Sequence, residues 1–155
     1  MYESKKNILH IIDTTGPGGA ETIFIQLASE ANNRGYKSIA LIRGEGWVAE
    51  QLRKREITTY VYNCKGSFNF SYLLFLVRLI KREKIDIIQS HLLGSNVYAS
   101  MAGLITATPV MCTFHGFVDI SEKERFGAVK FLAIRWGAKK IIAVTHQLYD
   151  GLTKS

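Results

Sequence analysis

The sequence predicts an α/β fold, a doubly wound parallel sheet with helices on both faces. Three observations lead there. Short apolar runs rich in β-branched residues alternate with stretches of helical period along the whole chain. The first run, Asn7-Ile8-Leu9-His10-Ile11-Ile12, is almost continuously apolar, as expected of a strand buried on both faces. A glycine-rich turn follows it and opens a helical pattern.

In that helix Ala20, Ile23, Phe24, Leu27, Ala28 and Ala31 recur at helical spacing, and Gly35 ends it. Residues 38–42 read as a second strand, Gly44 and Gly46 as the turn after it, and 48–55 as a short helix. A third strand covers 58–62. Residues 72–84 form a helix, 85–90 a strand and 95–106 a helix. Pro109 leads into a strand over 110–114, residues 123–136 are helical, 140–144 is a sixth strand, and Gln147 opens a last helix. This order implies βαβ units with right-handed crossovers. No boundary or internal repeat divides the chain, so residues 1–155 read as one domain. Ligands in such sheets bind outside the carboxyl ends of the strands, near the point where strand order reverses. Residues 13–19, Arg43 to Gly46, His91, His115-Gly116 and Thr145 stand at those ends and are expected on one rim.

Composition narrows the class. At 47% hydrophobic the 155 residues suffice for a real core, and no low-complexity stretch suggests disorder. A net charge of +7, from 20 Lys and Arg against 13 Asp and Glu, favours anionic partners such as nucleotide phosphates or an anionic membrane. Nucleic acid is not expected, because neither interleaved aromatics nor a known module accompanies the charge. Cys64 and Cys112 lie far apart without C-x-x-C spacing, which gives neither a disulfide framework nor a zinc site and makes a reducing cytosol the default. Residues 1–7 carry no secretory signal, and the apolar stretch 68–80 is too short to span a bilayer. The segment 72–84 is apolar on nearly every face and then basic. It reads as a core helix with cations at its carboxyl end, the alternative being a weak peripheral contact with a membrane.

The strongest local signal is Thr15-Gly16-Pro17-Gly18-Gly19-Ala20-Glu21. Gly18 and Gly19 let a ligand approach the backbone, and they stand at a helix amino end, where free N–H groups and the dipole favour a phosphate or sugar oxygen. The bland alternative is a tight turn that needs glycine only for its geometry. The turn is not a dinucleotide fingerprint, since Glu21 occupies the third glycine position and Arg43, not an acid, ends the second strand. Arg43 leaves room for a 2′-phosphate and hence an NADP reading. A Walker loop is excluded, because no Lys-Ser/Thr follows the glycines. His115 ends a buried strand, where its ring can hydrogen-bond a sugar hydroxyl. His91 does so too, with Ser95 and Asn96 ready to cap the next helix. The two histidines lack a third zinc ligand, and Asp13, Asp86, Asp119 and Asp150 form no D-x-D, so no metal is expected. His10 and His146 read as structural.

A first strand followed by Gly18-Gly19-Ala20-Glu21, strands ending in Gln89-Ser90-His91 and Phe114-His115-Gly116, and a late strand ending in Val144-Thr145 resemble one known family. It is the N-terminal domain of the group-one, family-four retaining glycosyltransferases, which have the GT-B arrangement of two Rossmann-like domains. The resemblance covers essentially the whole chain, with the motifs in the expected order. One departure is Thr145, where serine is commoner; the hydroxyl is kept.

The resemblance implies transfer of a sugar from a nucleotide diphosphate sugar to a sugar or lipid-linked acceptor, with retention and without a metal or other cofactor. It implies a place in cell-envelope polysaccharide synthesis, in the cytoplasm or at the inner face of the membrane. Gly18 and Gly19 would lie beside donor diphosphate and acceptor, His115 would act near the transferred sugar, and His91, Gly116 and Thr145 would complete the rim. A second domain, carrying an E-x7-E motif and an Arg/Lys pair, would hold most of the donor. That domain is expected outside these 155 residues, so the chain alone should have little or no activity. The rival readings are an NADP-dependent oxidoreductase domain, a nucleotide-sugar epimerase of the same layout, and a non-catalytic binding module that shares the fold.

Overall fold

The computed structural model describes residues 5–64, 68–116 and 126–154. The segment before residue 5, Asp119, and the first turn expected for the helix from residue 123 lie outside the described residues. Six strands, β1 (Asn7–Ile12), β2 (Lys37–Ile42), β3 (Thr58–Val61), β4 (Ile87–His91), β5 (Val110–Phe114) and β6 (Lys140–Ala143), form one sheet in the order β3-β2-β1-β4-β5-β6. Every pairing is parallel, with Ile8 opposite Ser38 and Ile87, and His91 opposite Thr113. Strand order therefore reverses between β1 and β4, and all carboxyl ends share one edge. The doubly wound parallel sheet is the architecture the alternation predicts.

Side chains alternate across each strand, so one sequence feeds two cores. On one face α1 (Gly19–Asn33) and α2 (Trp47–Lys54) bury Phe24, Ile25, Ala28, Val48 and Leu52 against Ile12, Ala40 and Ile42. On the other, α3 (Phe70–Arg82), α4 (Leu93–Thr106) and α5 (Gly127–Gly137) cover Leu9, Ile11, Ile39, Leu41 and Ile88. Each such Val, Leu, Ile or Phe side chain, taken fully from water, stabilises by about 1.5–3 kcal/mol before chain entropy is charged against it. α6 (His146–Lys154) follows β6 and contributes Leu148 to the second core.

The boundaries shift for local reasons. α3 starts two residues before the expected position because Asn69 caps it, its Oδ1 accepting from the Tyr72 amide at 3.0 Å. Its face of Tyr72, Leu73, Leu76, Val77, Leu79 and Ile80 is buried in the core. The core therefore takes most of the helix's apolar side chains, while Phe70 and Leu74 stay exposed. Gly35, at φ +87, turns the chain out of α1 as predicted. No helix among the described residues is long and apolar enough to cross a membrane.

Candidate functional site

The reversal between β1 and β4 opens a crevice at the carboxyl edge, flanked by the amino ends of two helices on opposite faces of the sheet. α1 begins at its N-cap Gly18 and α4 at its N-cap Leu92, and neither has a side-chain cap. Both helix ends therefore turn backbone amides and the positive end of a dipole toward the crevice. Asp13, just past β1, lies on the α4 side: a Cβ on Gly94 would collide with its carboxylate. Arg43, just past β2, has Nη1 3.9 Å from Asp13 Oδ2. The residue left open for a 2′-phosphate is thus engaged by an acid.

The glycines divide into two kinds. Gly46 is demanded by the fold: its φ is +148, and a Cβ there would stand 2.9 Å from the Thr15 carbonyl oxygen. The Val48 amide also donates to Thr15 O at 3.1 Å, so the turn after β2 holds the turn after β1. Gly16, Gly19 and Gly116 are different. A Cβ at any of them meets nothing among the described residues within 4 Å, and none has a positive φ. At Gly18 a Cβ would meet only the flexible Glu21 carboxylate, and the backbone there is extended, a conformation any residue adopts. Tight-turn geometry accordingly does not account for Gly18 and Gly19, whose exposed backbone faces open space among the described residues.

The histidines form a pair. His91 ends β4 wholly buried, with its ring edge-on to Phe24 of α1 at 5.5 Å. Its Nδ1 is 2.8 Å from Nε2 of the half-buried His115, and the two rings stack. Because Phe24 and His115 both touch His91, His115 and the start of α1 share the same side of the rim. His91 Nε2 is buried without a hydrogen-bond partner. A buried donor without an acceptor is the rarer arrangement, which assigns the shared proton to His91 Nδ1 and makes His115 Nε2 the acceptor. His115 then carries its own proton on Nδ1. Burial, reinforced by the nearby His115 and His10, lowers the His91 pKa to about 3, so His91 is neutral and supports His115 from behind. The hydrogen bond between the two rings occupies nitrogens that a shared zinc would need, and no group of three or more His, Cys, Asp or Glu suited to a metal occurs among the described residues.

Other rim positions have defined tasks. Thr145 Oγ1 accepts from the Leu148 amide at 3.2 Å and caps α6. The capping expected of Ser95 and Asn96 is not what they do. Asn96 Nδ2 donates to Thr113 O at 3.1 Å and its Oδ1 accepts from Ser90 Oγ at 2.6 Å, tying β4 to β5 beneath the histidines. His10 is a core residue, its Nε2 3.3 Å from Ser38 Oγ.

Two features had no signal in the sequence. Leu92 has φ 71 and ψ 156, a region almost restricted to glycine, and links His91 directly to α4. A cavity of about 580 Å³ runs between α4 and α5, lined by Val97, Met101, Val129 and Ala133, with Asp13 and Arg43 also on its wall. Several of the described cations lie away from the crevice: Lys54 ends α2, Lys81 and Arg82 end α3, and Lys37 and Lys140 begin strands, all at the opposite pole. Arg53 instead reaches back to Glu45 in the turn after β2, at 2.8 Å. Among the described rim residues, an anion would meet backbone amides and helix dipoles beside Arg43.

Comparison with known proteins fits this geometry. The model of Glycosyltransferase Family 4 matches residues 17–155. No curated protein sequence matches the chain. Among solved structures, a glycosyltransferase from Rickettsia africae superposes with a TM-score of 0.80 at 21% identity, over 99% of this chain and 40% of its own. HepE from Anabaena, solved in complex with UDP, gives 0.79 at 17% identity, over 96% and 40%. A putative UDP-N-acetylglucosamine 2-epimerase from Listeria monocytogenes gives 0.62 at 13% identity, over 97% and 42%. At these identities the likeness shows the fold, and the chain spans about two-fifths of the length of each.

Proposed function

The chain belongs to glycosyltransferase family 4, and from that premise we propose that it is the acceptor-side half of an enzyme that transfers a sugar from a nucleotide diphosphate sugar. In this reading a second domain holds most of the donor, the two close over the crevice, and a hexose passes to the acceptor with retention and without a metal ion. One observation carries the reading. At the switch point, Gly18 and Gly19 present bare backbone at an uncapped helix amino end, and the fold supplies no reason of its own for glycine there. The amides of α1 and α4 would stabilise the negative charge that develops on the departing diphosphate. The His115 Nδ1–H would bind a hydroxyl of the transferred sugar, held in that tautomer by His91. HepE, a structural neighbour, has been solved with UDP, with UDP and glucose, and with UDP-glucose, which supports a nucleotide-sugar donor. Both thiols are free and buried, in keeping with a cytoplasmic site of action.

The test is a transfer assay on the polypeptide joined to a donor-binding half, with the product anomer read by proton NMR. Retention, indifference to EDTA and a large fall in kcat for His115→Ala are expected. An inverted product, inactivation by chelation, or appreciable turnover by the 155-residue chain alone would overturn the proposal.

A further inference from the structure

The amino end of α1 is covered from an unexpected position. Gly18 is the N-cap, and Gly19, Ala20 and Glu21 open the helix. At an N-cap, Ser, Thr, Asp or Asn ordinarily supplies an oxygen that accepts from an amide of the first turn. The backbone of Gly18 is extended, so any of these residues could stand there. Instead the position has no side chain, and the Glu21 carboxylate lies where one would be. A Cβ on Gly18 would collide with Oε2 of Glu21 and stand 3.2 Å from its Cδ. The acid thus folds back over the first turn, as the glutamate of a capping box does. The turn beneath it is firmly built, because the Thr22 amide and the Thr22 Oγ1 both donate to Gly18 O, at 3.0 and 2.7 Å. A short capping side chain at residue 18 would be fixed over the amides. Glu21 is half-buried and long enough to swing clear.

We propose that Glu21 is a displaceable stand-in for the donor diphosphate: its carboxylate covers the amino end of α1 and withdraws when the diphosphate arrives. The inference rests on the transfer reading, which puts that diphosphate beside Gly18 and Gly19. Carboxylate and phosphate oxygens seek the same amides and the same end of the helix dipole. Like charges brought that close repel, so one helix end does not serve both. Glu21 therefore weakens the hold on the donor. By returning, it also speeds the departure of the nucleoside diphosphate once the sugar has moved. Glycine at 18 gives the carboxylate its room, and a Cβ there would push it aside.

The test is a titration of the full chain with inorganic pyrophosphate at low ionic strength, read from the Gly18 and Gly19 amide signals by heteronuclear NMR. Glu21→Gln removes the charge, and Glu21→Asp keeps it but draws it back by one methylene. Both variants should bind pyrophosphate more tightly than the wild type, Glu21→Gln on the order of two- to fivefold, with far-UV circular dichroism unchanged. A charge acting only from a distance would leave Glu21→Asp like the wild type, and a purely structural cap would tighten neither variant. In the two-domain enzyme, Glu21→Gln should lower the donor KM and strengthen product inhibition by the nucleoside diphosphate. Equal or weaker pyrophosphate binding by Glu21→Gln, or wild-type affinity in Glu21→Asp, overturns the inference and leaves the transfer reading standing. Amide signals that ignore pyrophosphate in all of these proteins also overturn it, and the transfer assay then decides the wider reading on its own.

Discussion

Acidification should destabilise this domain through two histidines. His10 and His91 are buried, and burial is the main cause that lowers their pKa values from 6.5 to about 4 and about 3. As pH falls through 6.5 the unfolded chain binds a proton at each ring while the folded chain does not, so the unfolded state gains. The contribution of each ring to stability is intact above 6.5 and is lost as pH falls toward its folded value. The slope is about 1.4 kcal/mol per pH unit per ring. Between pH 6.5 and about pH 5 each ring therefore loses about 2 kcal/mol, and the pair about 4 kcal/mol, out of a total that for domains of this kind is about 5–15 kcal/mol. The carboxyls held low by their partners, Glu30 by Arg34, Glu45 by Arg53 and Glu83 by Tyr60, exchange protons below 4.5 and stay outside this window. Urea unfolding at about pH 7.5 and about pH 5, followed by circular dichroism, measures the difference directly. His10→Gln and His91→Asn should each remove about half of the pH dependence, whatever they do to stability at neutral pH. An urea midpoint that does not move with pH, or one that moves equally in the double variant, would refute the reasoning.

Three further outcomes are expected. Gly18→Ala and Gly19→Ala should change the urea midpoint little, because the added methyl meets open space or a flexible carboxylate, yet depress transfer by the two-domain enzyme strongly; a large loss of stability would restore the tight-turn explanation. Gly46→Val should destabilise by about 2–4 kcal/mol through its positive φ and the Thr15 carbonyl, read from thermal and urea unfolding. Asn69→Ala should cost about 1 kcal/mol by uncapping α3, and Asn69→Asp should recover most of it.

The fold was legible because its information is local. A continuous apolar run at 7–12, helical spacing from Ala20 to Ala31 and a glycine at 35 each state what their own segment does, and parallel topology follows from their order. The rim was legible for the same reason, since strand ends in a parallel sheet share an edge. What escaped depends on register and packing. His91 and His115 are separated by a helix in sequence, and only the pairing of β4 with β5, which sets His91 opposite Thr113, brings their rings together. Nothing in a leucine signals φ 71, so the constrained link at Leu92 is invisible until backbone angles are known. Formal charge misled in another way. The total of +7 favours anionic partners, but a sum has no position, and among the described residues Lys54, Lys81 and Arg82 end their helices away from the crevice.

The grip of Gly46 and Val48 on Thr15 has a consequence for how such a crevice can change over time. The loop that would greet a substrate is steered by a neighbour that never meets it, rather like a hinge pin hidden behind a door. Substitutions after β2 could therefore retune what the first loop accepts while leaving every residue in the cleft as it was.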